Sequence, residues 1–280
     1  MSDCKRDGIQ SCNTLLDRVE PLLTVKNLKD KWLFGVLPII DEEGVELSDE
    51  TLQSYIETAV SMLEHDLDIA ITPREVCEEK DYFANDYYEW GFMQLNNIPV
   101  IEIVSMQVTY LRDAAGVPES VLDIPPNWVR FREHDGLVRL VPNNKFPANL
   151  SVGANGSWFP ELFNRNSHVP QMWTVKYKHG FKDGAIPVMI NMAIGLLASI
   201  MAMNIAGDLK LGSGIASQSL SIDGLSQSVN TTASAENHTY SAKVEAAYHQ
   251  LFGDKGENAR NRGVMGILRD YYQAQRMNII

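Results

Sequence analysis

Cysteine is scarce in this chain of 280 residues, and what there is does not pair up: Cys4, Cys12 and Cys77 are three, with no C-x-x-C pair and no histidine at ligand spacing from any of them. That pattern excludes a disulfide framework and a cysteine-based zinc site, and leaves three reduced thiols in a cytosolic product as the expectation. Positive charge is short as well. Twenty-four Lys+Arg stand against 36 Asp+Glu, a formal net charge of −12, whereas a general nucleic-acid-binding surface needs a basic footprint to neutralise phosphates. The opening residues, MSDCKRDGIQSCNTLLD, are polar and mixed in charge, which is not the pattern of a signal peptide. The sequons at Asn149, Asn155, Asn230 and Asn237 are therefore expected to go unused. The sequence holds no internal repeat and no G-x-S-x-G, and no Ser or Cys has a histidine partner visible in it.

What is present is ordinary globular material. Hydrophobic residues make up 45 % of the chain, enough for a core, and the length suits one elaborated domain or two small ones. The acid is unevenly placed. Residues 1–140 hold 12 basic and 27 acidic side chains, residues 141–280 hold 12 and 9, and 17 acids fall within 41–102 against only Arg74 and Lys80. An acidic half joined to a slightly basic half suits head-to-tail association between copies, although solvated helix faces give the same count.

The periodicities predict an α+β chain: a helical bundle with an elaborated β-rich insertion. Residues 1–74 read as a weakly patterned arm, a short apolar clamp (Trp32 to Ile40) and a first bundle helix. That helix has Ser48 as N-cap, Asp49 and Glu50 at its positive end, and Leu52, Ile56, Ala59, Leu63, Leu67 and Ala70 on one stripe. Glu57, Glu64, Asp66 and Asp68 lie on its other face, and Thr72-Pro73 closes it. Residues 75–182 are β-rich. Val76 to Phe83, Val100 to Leu111 and Met172 to Lys178 read as strands, Tyr87 to Leu95 is ambiguous, and an Asp135-Gly136 turn joins Trp128–Arg132 to Leu137–Val141. A Pro/Asn/Gly-rich loop occupies 142–160.

Residues 183–253 begin with an uncharged apolar run from Ala185 to Ala206. Its length would cross a bilayer, but Pro187, Asn191, Gly195, Ser199 and Asn204 punctuate it and no aromatic belt flanks it. A helix apolar all round and buried on every side is the expectation, with no membrane partner. A Ser-rich, nearly uncharged stretch, 208–238, follows; within it Leu220, Ile222 and Leu225 alternate with small polar residues, as suits an edge strand added to a partner or neighbouring subunit. A closing helix places Tyr240, Val244, Ala247, Tyr248 and Leu251 on one stripe and stops at Gly253. The tail, 254–280, carries Arg260, Arg262, Arg269 and Arg276 beside Tyr271 and Tyr272.

Candidate chemistry is thin. The run Gly212-Ser213-Gly214 follows a helix rather than a strand, so it reads as a linker and not a phosphate loop. Glu64-His65-Asp66 with Asp68 resembles a metal cluster only in composition, because adjacent residues point to different helix faces. His134 and His179 have no visible nucleophile to serve. Arg130, Arg132 and Arg139 among aromatics would suit single-stranded nucleic acid, against a strongly negative field. No catalytic residue, metal ligand or cofactor is expected.

The order of features resembles the head–tail connector (adaptor, or neck) proteins of tailed bacteriophages. LSDETLQSYIETAVSMLEHDL is similar to the family's first helix, NNIPVIEIVSMQVTYLRDAAG to the strand after it, and AIPVMINMAIGLLASIMA to its Pro-initiated packed helix. SLSIDGLSQS followed by YSAKVEAAYHQL is similar to its late segment and closing helix. The β-rich stretch 112–180 departs from the smallest members as an inserted domain. The resemblance implies a non-enzymatic virion component, assembled in the host cytoplasm. It would form a ring of about twelve copies in the neck, contacting the portal protein and further neck or tail proteins, with DNA only in transit. It implies an interface at Leu220, Ile222, Leu225, Arg260, Arg262, Arg269, Tyr271 and Tyr272, and acids facing a lumen at Glu57, Glu64, Asp66 and Asp68. A stopper or terminator elsewhere in the neck, or a ligand- or carbohydrate-binding module carried by the β-rich region, is the alternative.

Overall fold

A computed structural model describes residues 18–41, 43–83, 93–112, 118–141, 168–182, 184–211, 217–222, 225–230, 240–253 and 262–277. In chain order the elements are β1 (Val19–Glu20), α1 (Val25–Asn27), a π-helical turn (Leu28–Trp32), α2 (Asp49–Leu67), β2 (Arg74–Phe83), β3 (Met93–Gln94), β4 (Val100–Arg112) and β5 (Pro118–Asp123). A 3-10 turn (Pro126–Trp128) leads to β6 (Val129–Phe131), β7 (Leu137–Leu140) and β8 (His168–His179). Last come β9 (Ile186–Pro187), α3 (Val188–Leu211), β10 (Ser217–Ile222), β11 (Leu225–Asn230), α4 (Ser241–Phe252) and α5 (Gly263–Met277). The chain is α+β and divides into two compact units, one of Met1–Asp68 with Asp183–Ala274 and one of Ile69–Lys182 with Gln275–Ile280.

The first unit is built around α3. This helix has no polar stripe; α2, the π-turn and α4 all pack on it, and Ile190, Ala193, Ile194, Ala198 and Ala202 are fully buried, but the expected burial on every side is incomplete, since Ile205 and Leu209 near its end are exposed. It is the one described helix long and apolar enough to span a membrane, by length and composition only. The residues that punctuate it have specific uses. Asn191 is 2 % exposed and spends its whole amide: Oδ1 accepts from Leu23 N at 3.1 Å, and Nδ2 donates to Glu20 Oε1 at 3.0 Å and to the Pro21 carbonyl at 2.7 Å. Ser199 donates back to the Leu196 carbonyl at 2.8 Å. At Gly195 the Trp32 indole lies 2.4 Å from where a Cβ would stand, so only glycine lets that ring close on the helix.

Residues 18–27 are therefore not a loose arm. β1 pairs antiparallel with β9, Val188 N donates to the Arg18 carbonyl at 2.9 Å, and Leu23 is buried. The Trp32–Ile40 clamp begins as the last residue of a π-turn closed by Leu33 N to Leu28 O at 3.0 Å. α2 starts as its cap predicts: Ser48 Oγ accepts from Thr51 N at 3.1 Å. Its end differs. The helix stops at Leu67, and Asp68 takes the left-handed C-cap conformation with φ 54°. Ala70 lies beyond the helix, and Thr72-Pro73 is not its stop.

The second unit holds a four-stranded antiparallel sheet, β2-β8-β4-β5, and a three-stranded one, β3-β7-β6. β8 is central. Val175 and Tyr177 are fully buried, and Thr174, Lys176 and Lys178 alternate outward. Trp128, Met172, Val138 and Leu95 fill the same core. The Asp135-Gly136 turn forms as expected: β6 and β7 pair as Val129↔Leu140 and Phe131↔Val138, Gly136 has φ +68°, and Asp135 Oδ1 accepts from Leu137 N at 3.1 Å. β2 begins two residues earlier than its pattern suggests, and β8 starts at His168. Most of the ambiguous Tyr87 to Leu95 stretch, residues 87–92, and the whole loop 142–160 lie outside the described residues.

The 208–238 stretch is not structureless. α3 continues to Leu211, and β10 and β11 then pair with each other instead of forming one added strand. The tail forms a definite helix, α5.

Asn191→Leu is expected to strand the Leu23 N–H and the Pro21 carbonyl in a buried site, lowering stability by about 1–3 kcal/mol. Urea denaturation of the two proteins measures the difference; equal midpoints would show that the amide is dispensable.

Candidate functional site

The residues singled out as lumen acids and as interface cations do not remain two separate sets. Arg269 on α5 reaches Asp66 on α2 with two hydrogen bonds, Nη2 to Oδ1 at 2.5 Å and Nε to Oδ2 at 3.1 Å. The pair closes α5 onto α2 within one copy, so Asp66 is already neutralised and Arg269 already engaged. Arg262, just ahead of α5, is likewise paired, with Asp270 on that helix. Tyr272 is 4 % exposed and belongs to the core of the helical unit, while Tyr271 is half-buried and stands edge-on to it at 5.1 Å between ring centres. Burial pushes the Tyr272 hydroxyl well above the usual tyrosine range. Arg260 lies outside the described residues.

Glu57 stays on the exposed face of α2, where its Oε1 accepts from Gln53 Nε2 at 3.0 Å. Glu64 is half-buried, and Asp68, exposed, is the helix cap. Asp49 in the first turn meets Lys29 Nζ at 2.5 Å. Among the described residues no group of three or more His, Cys, Asp or Glu is placed to hold a metal.

Pairing extends through the second unit. On the outer side of the four-stranded sheet, Lys176 Nζ meets Glu75 Oε1 and Lys178 Nζ meets Glu102 Oε1, both at 2.6 Å. The Lys176 hydrogen bond holds the Glu75 carboxyl below its usual range, and each lysine is raised by its carboxylate. Asp81 accepts from Gln171 N at 2.8 Å and meets His168 Nε2 at 3.1 Å; the backbone bond first and the histidine second hold its carboxyl low. The tightest network is inside. Tyr177 donates to Glu78 Oε2 at 2.6 Å and accepts from Asn97 N and Nδ2, while Lys80 Nζ bridges Glu78 and Asn96 at 2.7 Å each. It pins the 95–99 turn to β2 and β8. Burial, then the bond to Glu78, pushes the Tyr177 hydroxyl far up.

None of this is nucleophile–base geometry. His134 is exposed, His65 sits on the outer face of α2, and His179 is buried beside the Tyr177 ring. Arg130 and Arg139 are cross-strand partners, both exposed, and Arg132 is held by Asp135 at 2.5 Å. A groove lined by Ile103, Val104, Met106, Ile124, Val129 and Phe131, with Ser105 at its side, has about 60 Å³ of space. Small-molecule pockets usually span roughly 300–1,000 Å³, so this groove is not a sugar site by size or by lining.

Large apolar side chains left in solvent were not anticipated from the sequence. In the helical unit Phe34 is 81 % exposed and Val45 60 %, with Ile40 between them. On α4, Tyr248 turns out of the expected stripe and its ring packs on Phe252 at 4.6 Å, both exposed; Ile267 on α5 is exposed too. The interruption of the clamp by Gly35 and Pro38 was the available signal: it breaks the helical period and leaves Phe34 with no inward face.

No protein-family model matches the chain, and no curated protein does. Solved structures are similar to it, three of them as follows. One is a chain of the neck of an empty gene transfer agent particle computed with C6 symmetry, 19 % identical over 63 % of this chain and 76 % of that one, TM-score 0.37. A second is from the virion of a native gene transfer agent particle, 22 % identical over 63 % and 76 %, TM-score 0.36. The third is from the neck of a native particle computed with C12 symmetry, 17 % identical over 65 % and 81 %, TM-score 0.32.

The Asp66–Arg269 pair is more than one-third exposed on both sides, so a double-mutant cycle with Asp66→Ala and Arg269→Ala is expected to give a coupling of only about 0.2–1 kcal/mol, shrinking in high salt. The buried hydroxyls predict an alkaline limit. Their folded pKa lies above the unfolded value, so their stabilising effect is intact below pH ~10 and is lost as pH rises beyond it. Tyr177→Phe and Tyr272→Phe should each flatten the fall in melting temperature above that pH; unchanged slopes would contradict the burial argument.

Proposed function

We propose that this protein is a structural head-to-tail adaptor of a phage-like particle, forming a ring between portal and tail through which DNA passes. The observation that carries the reading is the set of large apolar side chains that the helical unit leaves in solvent, at Phe34, Ile40 and Val45 and again at Tyr248, Phe252 and Ile267. Exposed apolar side chains mark contact with other proteins where they gather into a patch, and we read these two groups as such patches. A ring needs two different complementary faces on each copy. The loop at 34–45 and the α4–α5 side chains are candidates for those faces.

Acid suits the second requirement. A channel that passes DNA must not hold it, and unpaired carboxylates such as Glu57 repel phosphate. Because Asp66 is paired and Asp68 caps a helix, the exposed Glu57 is the stronger candidate for a lumen-facing charge. The portal is the expected partner on one side, and further neck or tail proteins on the other.

Negative-stain electron microscopy of the full chain, alone and mixed with portal protein, tests this. Ring particles of defined symmetry are the expected outcome. A monodisperse monomer that leaves the portal unchanged would overturn the assignment. Phe34→Asp is expected to abolish the rings while leaving the helical content of the chain intact, since that side chain has no core to lose.

A further inference from the structure

We infer that the β10–β11 hairpin joins neighbouring copies of this chain edge to edge, as a strand-paired collar; the inference rests on the ring reading above. Its starting point is the register. Ser217 opposes Asn230, Ser219 opposes Ser228 and Ser221 opposes Ser226; the intervening pairs are Gln218 with Val229, Leu220 with Gln227 and Ile222 with Leu225. Directly opposed residues share a face of an antiparallel pair, and the face alternates at each step. One face of the hairpin therefore carries five serines and an asparagine. The other carries Leu220, Ile222, Leu225 and Val229 with two glutamines. A sequence that sorts so completely by face belongs to a sheet with two different environments.

The hairpin as it stands in one chain is incomplete. Among the described residues it is a two-stranded sheet joined to no other strand, and an isolated hairpin of two six-residue strands is marginal in water. Among the described residues neither outer edge has a partner, so both offer rows of backbone N–H and C=O groups. The usual devices that blunt such edges, a lysine, a proline or an inward charge, do not occur in either strand.

The occupant that fits is a second copy. Two chains of charge −12 repel on approach, yet from Gly212 to Ala235 the sequence has one charged residue, Asp223. Contact through these strands meets almost no like-charge cost. A neighbouring hairpin also has the matching strand length and the same division into serine and apolar faces. Setting β11 of one copy beside β10 of the next continues the antiparallel alternation and keeps like faces together. Repeated around a ring, that head-to-tail contact closes the sheet on itself and removes every free edge.

Disulfide trapping between copies tests the contact. In full-length chain with Cys4→Ser, Cys12→Ser and Cys77→Ser, one population carries Ser219→Cys and a second carries Cys at 226, 228 or 230. The populations are mixed, assembled as for the ring experiment, and oxidised. At least one mixture is expected to give crosslinked dimers some tenfold above either population alone. Rings that yield no crosslink in any of the three mixtures would overturn the hairpin contact and leave the adaptor reading standing. Crosslinking of the Ser219→Cys population with itself would overturn the head-to-tail order. Absence of rings of any kind counts against both readings. As a second measurement, Leu220→Lys with Ile222→Lys is expected to abolish the oligomer in light scattering while the melting curve of the helical core is unchanged; an unchanged oligomer would also overturn it.

Discussion

The helical unit depends on one requirement: a helix that is apolar on all sides has to be covered on all sides. Most of α3 is covered, by segments far apart in the chain, and only near its C-terminal end do Ile205 and Leu209 reach solvent. β1 and the π-turn come from near the start, α2 follows, and α4 comes after the Ser-rich stretch. This is why the unit is discontinuous in sequence, leaving at Asp68 and resuming at Asp183. Close cover also explains the residues that look out of place in the run. Gly195 admits the Trp32 ring, and Asn191 supplies donors and acceptor to the 20–23 backbone and to Glu20, where an apolar residue would leave them unsatisfied.

Charge follows the same logic of pairing across distance. The sequence concentrates acid in residues 41–102, and that asymmetry suggested attraction between copies. Much of it is answered inside one chain, by cations from the later half: Arg269 takes Asp66, Lys176 takes Glu75, and Lys178 takes Glu102. Most of these pairs are partly exposed and individually worth little. Their larger effect is on the field outside the protein, since a paired carboxylate contributes little potential beyond about 10 Å at physiological salt. What repels DNA or another copy is set by the residues left over, such as Glu57, and not by the count of acids.

Local signals were legible and long-range ones were not. Ser48 as a cap, Asp135-Gly136 as a hairpin turn and the alternation in β8 each depend on a few neighbouring residues, and each appears in the structure where the pattern puts it. The end of α2 was misjudged because Pro73 is a strong breaker in sequence, whereas the helix is ended earlier by Asp68 in a left-handed conformation that aspartate tolerates. Tyr248 satisfies the helical period yet faces solvent, because period fixes which residues share a face and not whether that face is covered. α5 went unread although Val264, Met265, Leu268 and Tyr272 recur at helical spacing and are all buried; its hold through Arg269 on Asp66 is the part no local window shows. Of the candidate site residues, Asp66 and Arg269 had been assigned opposite roles, and only the fold shows them to be partners.

These observations narrow where an acidic chain can meet other proteins. Surface already committed to ion pairs would have to break them on docking, recovering little. Surface bearing unpaired acid resists any partner that shares its sign. The remaining area is poorer in charge: the Tyr248–Phe252 pair, the strands from Ser217 to Asn230, and the apolar groups at Phe34, Ile40 and Val45, the last set interrupted by Asp41 and Glu43. The apolar side chains gain by being buried, at about 25 cal/mol per Å². The strands gain by having their edges paired, which costs no new desolvation of charge. Contact through such groups costs this chain less than contact through its ion-paired or acidic surface.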